Sequence, residues 1–443
     1  MKRVLLATTA LGMSAGVAIA DVTLSGAADM GIAGSKDDSV RFHTDIDVTF
    51  TLSGETDGGV TFGSAIDIDE ASDDLKKNAA GTQTVDHATQ KDDEHGGIAV
   101  FIEDADGFGK LTLGDANGAV AAVVSDARGA GPGSIGDNHE HGGSSGNDGL
   151  DGKHDGQILL WERAIGSGFS AAASVELSDD IDGKPGGNTH DPIIGIGGKY
   201  SMAMGMGTLG LGLGYQMGSF DHAIGKSVGE TRREAGLTGT AALPGTTLTA
   251  AQAKTVTDAK VAPLWGRATG VTTGHDGEVE GTVVAGSVSL DFGNGGDGIK
   301  IVADASVMEA DGDHRASATA PVRSADVEAT HIGLGLGYTV GAISVGINVG
   351  SNVTESTYDP NGAVANDQTV IEKTVNGVGF SAAYDLGGGA ELQFGIGSSE
   401  TENDYAYGGG ASGNFGTGAT SSSITDDTSS DTNSWSLGVA FKF

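Results

Sequence analysis

The last eleven residues, 433–443, carry Trp435, Leu437, Val439, Phe441 and Phe443 at alternate positions, with Ser434, Ser436, Gly438, Ala440 and Lys442 between them. Successive side chains of a strand point to opposite faces, so this stretch has one apolar face and one small or polar face. In a soluble sandwich an apolar strand at a chain end is an edge open to mispairing. In a closed barrel set in lipid it has a natural place, apolar face outward and backbone bonded to the first strand.

The same alternation recurs along the chain. Residues 21–32 set Val22, Leu24, Ala28, Met30 and Ile32 on one face. Residues 41–53 set Phe42, Ile46, Val48, Phe50 and Leu52 outward, and Arg41, His43, Asp45, Asp47, Thr49 and Thr51 inward. Residues 60–69 put Ile66 and Ile68 out, and Asp67 and Asp69 in. Further strands are expected at 97–103, 108–114, 157–164, 169–177, 194–204 and 208–217. Hairpins are expected at 237–256, 283–308, 331–353 and 375–398, giving 18 candidate strands with the last. Tight glycine turns alternate with long polar loops, 70–94, 179–191, 254–280, 311–326, 354–373 and 399–431. The motif Gly210-Leu211-Gly212-Leu213-Gly214-Tyr215 returns as Gly333-Leu334-Gly335-Leu336-Gly337-Tyr338, with glycine on the inner face leaving room. No helical pattern follows either copy, so neither is a dinucleotide fingerprint. The expected fold class is all-β, a transmembrane antiparallel β-barrel.

Lys2-Arg3, an uncharged apolar stretch to Val17 and the small-x-small Ala18-Ile19-Ala20 read as a signal peptide over 1–20, with the barrel over 21–443. No later stretch supplies the ~20 apolar residues of a membrane helix. The chain has no cysteine, so no disulfide framework is available in an oxidising compartment. A net charge of −36 argues against nucleic-acid partners, whose phosphates it would repel. Residues 115–156 lack a strand period and are rich in Gly, Asp, His and Ser; a loop this long inside a barrel is read as functional.

Several stretches, in order, resemble the general diffusion porins of alphaproteobacteria, the Rhodobacter-type trimeric porins. They are Asp21-Val22-Thr23-Leu24-Ser25-Gly26, Val48-Thr49-Phe50-Thr51-Leu52-Ser53-Gly54-Glu55-Thr56-Asp57-Gly58-Gly59, Phe108-Gly109-Lys110-Leu111-Thr112-Leu113-Gly114-Asp115, Tyr384-Asp385-Leu386-Gly387-Gly388-Gly389-Ala390 and Val439-Ala440-Phe441-Lys442-Phe443. The resemblance implies a 16-stranded barrel, a homotrimer, and a third loop folded into the lumen. Here that loop would run over 115–156 and carry Asp115, Asp126, Arg128, Asp137 and Glu140. The family sets loop acids against a basic cluster on the facing wall. In this chain the positions before Val48 are Asp45 and Asp47, so the wall reads as acidic, with Arg41, Lys110, Arg163 and Lys199 as the basic candidates.

The expected function is an outer-membrane channel for passive diffusion of ions and small hydrophilic solutes. Carboxylates along an aqueous passage favour cations, so Arg41, His43, Asp45, Asp47, Asp67, Asp69 and Lys110 are the expected pore-lining set. Its surroundings would be outer-membrane lipid and lipopolysaccharide, and the barrel assembly machinery would read the strand ending in Phe443. No cofactor is expected, beyond calcium bound incidentally by acidic loops. His139 and His141, with Asp311 and Asp313, are weak metal candidates because the spacings of dedicated zinc and calcium sites are missing. Two other classes remain open, a barrel enzyme and a secreted acidic calcium-binding or adhesive β-protein. No nucleophile motif supports the enzyme, and the adhesin has no use for a lipid-facing terminal strand.

Overall fold

The computed structural model describes residues 21–36, 39–69, 75–77, 83–85, 97–135, 149–153, 157–177, 191–224, 275–293, 297–314, 323–359, 369–407 and 424–443. The strands are β1 (Asp21–Ser35), β2 (Arg41–Glu55), β3 (Thr61–Asp69), β4 (Leu75–Lys77), β5 (Gln83–Val85), β6 (Ile98–Asp104), β7 (Gly109–Gly114), β8 (Ile158–Gly166) and β9 (Phe169–Glu176). They continue with β10 (Ile193–Met204), β11 (Gly207–Ile224), β12 (His275–Asp291), β13 (Gly298–His314), β14 (Arg323–Val340), β15 (Ile343–Asp359), β16 (Thr369–Gly387), β17 (Ala390–Tyr407) and β18 (Ile424–Lys442). One short helix, α1 (Ala119–Val123), and a 3-10 turn (Ala127–Ala130) lie between β7 and β8.

Sixteen of these strands form one closed antiparallel barrel, each paired with its neighbours in sequence; β4 and β5 form a separate two-stranded ribbon. The barrel closes where β1 meets β18, from Ala27 opposite Lys442 to Ser35 opposite Ser434. The Phe443 N–H adds a bond to the Gly26 carbonyl at 2.9 Å. The strand count of 16 that the resemblance implied therefore holds, and 18 was two too many. The surplus hairpin, 237–256, lies outside the described residues, and β11 pairs directly with β12 without it.

A second correction concerns strand length. About half of each of the expected loops 311–326, 354–373 and 399–431, and the last six residues of 254–280, are strand, since β12 to β18 run 17 to 19 residues. About ten residues suffice to cross a bilayer core at a tilt. Beyond that band a strand needs only its backbone ladder, so stretches such as Ser399-Glu400-Thr401-Glu402 stay in register with polar side chains on both faces.

One face of the barrel is apolar and exposed along its strands, with Ile332, Leu334, Leu336 and Tyr338 on β14 as a continuous example. Among the described residues no helix is long and apolar enough to cross a membrane, so strands make any crossing. The turns at Gly341 and Gly387-Gly388-Gly389 all take positive φ, which glycine adopts without strain. These tight turns share a rim with both described chain ends, and the long connections share the other, as outer-membrane barrels require. Arginine in place of Leu334, half exposed on the apolar face, should cost about 2–4 kcal/mol of stability in liposomes, against about 0–1 for Val340→Arg at the strand end. Urea titration of the folded fraction measures both, and equal costs would contradict the lipid-facing assignment.

Candidate functional site

The face opposite the apolar one carries polar side chains and glycine, and the segment 115–135 lies against it. Helix α1 has five residues and no side chain capping its start. An isolated helix that short does not persist in water. Its donors are met by the barrel and by the segment's own return. The Ala119 N–H donates to Ser174 Oγ on β9 at 2.9 Å, and the Gly118 N–H to Asp151 Oδ2 at 3.0 Å. Further on, the Ser125 N–H donates to Ser287 Oγ on β12 at 2.8 Å, and the Ala127 N–H to Asp304 Oδ1 on β13 at 2.8 Å. Lys300 Nζ donates to the Gly129 carbonyl at 2.8 Å. On the return, the Leu150 N–H donates to Gln216 Oε1 at 2.8 Å and the Gly152 N–H to Glu176 Oε2 at 3.0 Å. Gln216 Nε2 also donates to Asp151 Oδ1. Each such bond contributes about 0.5–1.5 kcal/mol net, and more where a carboxylate accepts, so together they hold a segment with little helix of its own.

The two glycine motifs explain how the segment comes so close. Helix α1 packs on β9, β10 and β11, and the 3-10 turn on β13, β14 and β15. A Cβ at Gly212 would strike the Val123 carbonyl, and one at Gly214 would sit 2.9 Å from Val120 Cγ2. At Gly335 it would strike the Ala127 carbonyl, and at Gly337 the Ala130 carbonyl. The room expected on the inner face is thus filled by main chain. Beside it the face is apolar where it was expected to be polar: Val120 and Leu150 of the segment pack with Ile193, Phe220, Val279, Val283 and Val327. The apolar run Ala119 to Val124 is the signal in the sequence that points to this contact.

Asp126 caps the 3-10 turn, accepting from the Arg128 N–H at 2.8 Å, from Nε at 2.9 Å and from Nη2 at 2.7 Å. Burial alone would raise its pKa, but the Arg128 hydrogen bonds and charge outweigh this and hold the carboxyl below its usual range. Asp151 goes the other way: burial raises it, the bonds from Gln216 and Gly118 only partly offset that, and the nearby Glu176 charge adds to the rise. Beneath the turn, His331 links Asp304 Oδ2 (2.8 Å) to Asn352 Oδ1 (2.7 Å), which fixes the carboxylate that receives Ala127.

The other expected residues divide as follows. His43, Asp45 and Asp47 alternate with the exposed Phe42 and Ile46 and share the polar face; Asp45 is only 7% exposed. Arg41 is exposed at the start of β2. Asp67 accepts from Thr49 Oγ1 at 3.0 Å. Asp69 ends β3 opposite Asp47, and its side chain lies outside what is described. Lys110 sits 5.1 Å over the Phe101 ring. Lys199 lies on the polar face, alternating with the exposed Ile194 and Ile196. Arg163 does not: it shares the face of Leu159, which is exposed, so it is removed from the basic candidates. Asp115 is exposed where the segment leaves β7. Asp137, His139, Glu140 and His141 lie outside the described residues. Asp311 and Asp313 belong to β13, paired opposite Asp326 and Ser324, rather than to a loop. The expected set omitted Asp29, Ser174, Glu176, Gln216, Ser287, Lys300, Asp304 and Asn352, single residues at inward positions of otherwise ordinary strands.

Between the segment and the β1–β2 side lies a cavity of about 460 Å³. Its charged lining is Asp29, Asp45, Asp47 and Glu391 against Lys300 and Lys442, four carboxylates to two ammonium groups.

A closed, even-stranded antiparallel barrel with an apolar outer band is the architecture of an outer-membrane β-barrel protein. The chain belongs to the Gram-negative porin family, whose description matches residues 7–404. Among solved structures, a loop-deletion form of OmpT, an outer membrane protein of Vibrio cholerae, is 10% identical over 96% of this chain and 99% of its own, with a TM-score of 0.51. A porin refined at 1.8 Å is 22% identical over 96% and 100%, TM-score 0.49. The anion-selective porin of Comamonas acidovorans is 12% identical over 96% and 100%, TM-score 0.45. No individually curated protein matches.

Valine at Gly335 should push the 127–130 turn off the face, since forcing bulk into a filled site costs about 1–3 kcal/mol. Hydrogen exchange at the Ala127 N–H should accelerate, and unchanged protection would contradict the packing described. The Asp126 carboxylate stabilises the turn fully above the ordinary carboxyl pKa of about 4. That contribution is lost as pH falls through its lowered value. Asp126→Asn should therefore raise exchange in 126–130 at neutral pH and leave little further change on acidification; an unaltered acid profile would contradict this.

Proposed function

We propose that this porin forms a water-filled channel for passive diffusion of ions and small hydrophilic solutes, that it prefers cations, and that residues 115–156 are its constriction. The observation that carries the proposal is the segment's reach. A stretch as short as 119–135 touches β9 to β11 and β13 to β15 and ends with Ile135 against Gly31 of β1 and Gly438 of β18. Only a path inside a closed barrel reaches all of these at once. The apolar band on the other face agrees, since it is the surface that lipid would cover.

The preference for cations rests on the carboxylates bordering the cavity. A confined passage with low-dielectric walls focuses the field of such groups, and four carboxylates against two ammonium groups leave it negative. His43, Asp45, Asp47 and Asp67 line the passage with Lys110, and Asp126 and Arg128 belong to the constriction. The resemblance to trimeric porins carries a homotrimer. Residues 1–20, which lie outside the described residues, are the proposed export signal. No catalytic role is proposed: the polar side chains brought together here anchor main chain or line the cavity.

Single-channel recording in a planar bilayer, with a KCl gradient, tests the proposal. The expected result is stepwise conductance with a zero-current potential of cation sign, which Asp45→Asn with Asp47→Asn moves toward zero. An anion-signed potential would refute the preference. Absence of channels from folded, inserted protein would refute the channel.

A further inference from the structure

Near the end of the 115–135 segment, β1 and β2 bring three metal-binding side chains onto one patch of the polar face. Asp29 and Asp45 stand directly opposite each other across the two strands, and His43 stands opposite Gly31 on the same face. One ligand atom from each lies within 4.8 Å of the other two. His43 Nε2 and Asp29 Oδ1 are 2.9 Å apart. The backbone of all three is fixed by the barrel ladder, so the constellation is built in rather than assembled from a loop.

The pairing needs an explanation. Like charges directly opposite each other on one face of an antiparallel pair are destabilising, and burial raises the cost of charge. Asp45 is only 7% exposed, and the side chains of Asp29 and His43 are 13% and 14% exposed. His43 beside Asp29 offsets part of that repulsion, and a cation held by both carboxylates removes the rest. The imidazole selects its class: nitrogen ligands suit zinc, copper and nickel, whereas magnesium and calcium take oxygen. Zinc bonds of about 2.0–2.2 Å in tetrahedral geometry need ligand atoms about 3.4 Å apart. That spacing lies between the 2.9 Å of His43 and Asp29 and the 4.8 Å limit within which the three atoms lie. We propose that Asp29, His43 and Asp45 bind one divalent transition cation, zinc being the type case, through one imidazole nitrogen and two carboxylate oxygens. Three protein ligands leave a coordination position open to water. The cavity that borders Asp29 and Asp45 gives a small ion its route. The proposed ligand set does not include His139, His141, Asp311 or Asp313.

One consequence rests on the channel reading. A bound dication would cancel the excess of two carboxylates around the cavity, so zinc should weaken the preference for cations. Binding itself does not depend on that reading, and its test is separate. Full-length mature protein, folded in detergent and stripped with chelator, is titrated with zinc chloride by calorimetry. The comparison proteins are His43→Gln, Asp45→Asn and the pair His139→Asn with His141→Asn. The expected result is one zinc per chain at micromolar affinity or tighter. Affinity should fall by at least about tenfold in His43→Gln and Asp45→Asn, and the loop pair should bind as the parent does. Excess calcium should not displace the metal, and X-ray absorption should show a single imidazole. If His43→Gln fails to fold, judged by its β-sheet circular dichroism, Asp45→Asn carries the test. A parent without a micromolar site, a site retained in both wall variants, or a site lost in the loop pair would each overturn the proposal. Loss of channel conductance with zinc binding intact would instead count against the channel reading alone.

Discussion

A sheet in lipid has no water to satisfy its edges, so every backbone N–H and carbonyl must be paired within the protein. In this chain the β1–β18 ladder meets that requirement. It joins the first described strand to the last and leaves the sixteen-strand barrel without an edge. Much else follows from it. An even count sets both ends of the barrel at one rim, the rim of tight glycine turns, and leaves the long connections to the other. Closure also divides the side chains into two populations with different solvents, which is why alternation recurs across the lipid band of most strands.

The second organising feature is the replacement of side chains by main chain on the polar face. Glycines at 212, 214, 335 and 337 do not merely widen a passage; they admit the backbone of 120–130 to van der Waals contact. The segment has weak helical content and would not hold its shape alone. Its donors are met by Ser174, Ser287, Asp304, Gln216 and Glu176, distributed over four strands, and its apolar residues complete a small core with β10, β11, β12 and β14. The proposed constriction is therefore asymmetric. It is fixed along β9 to β15, and the cavity with most of the carboxylates lies toward β1 and β2.

The barrel was legible because lipid demands an apolar residue at every second position, and Phe42, Ile46, Phe50 and Leu52 supply it plainly. The outer reaches of β12 to β18 were not, because beyond the lipid band the ladder tolerates polar residues on both faces. His43, Asp45 and Asp47 could be placed by parity alone. Arg163 was misplaced because β8 is apolar on both sides, with Leu159 exposed and Leu160 buried. The anchors of the segment were illegible for a different reason. Ser287 and Asp304 meet residues 162 and 177 positions away, and a lone serine or aspartate at an inward site looks like any other polar lumen residue. The glycine motifs did signal room, without indicating what would occupy it.

The docking of the segment can be tested directly because the chain contains no cysteine. An ideal Cβ at Gly195 lies 3.2 Å from Ala119 Cβ, a little inside the usual disulfide separation of about 3.5–4.5 Å, and 2.5 Å from Ser174 Oγ, so the test removes that hydroxyl as well. In a Ser174→Ala background, Ala119→Cys with Gly195→Cys should therefore form a disulfide on oxidation of the folded protein, and single-channel conductance should be the same before and after reduction, since the bond fastens a segment that its other anchors already hold. Free thiols in the folded protein, or a conductance that rises severalfold on reduction, would show that the segment does not rest against the barrel as described.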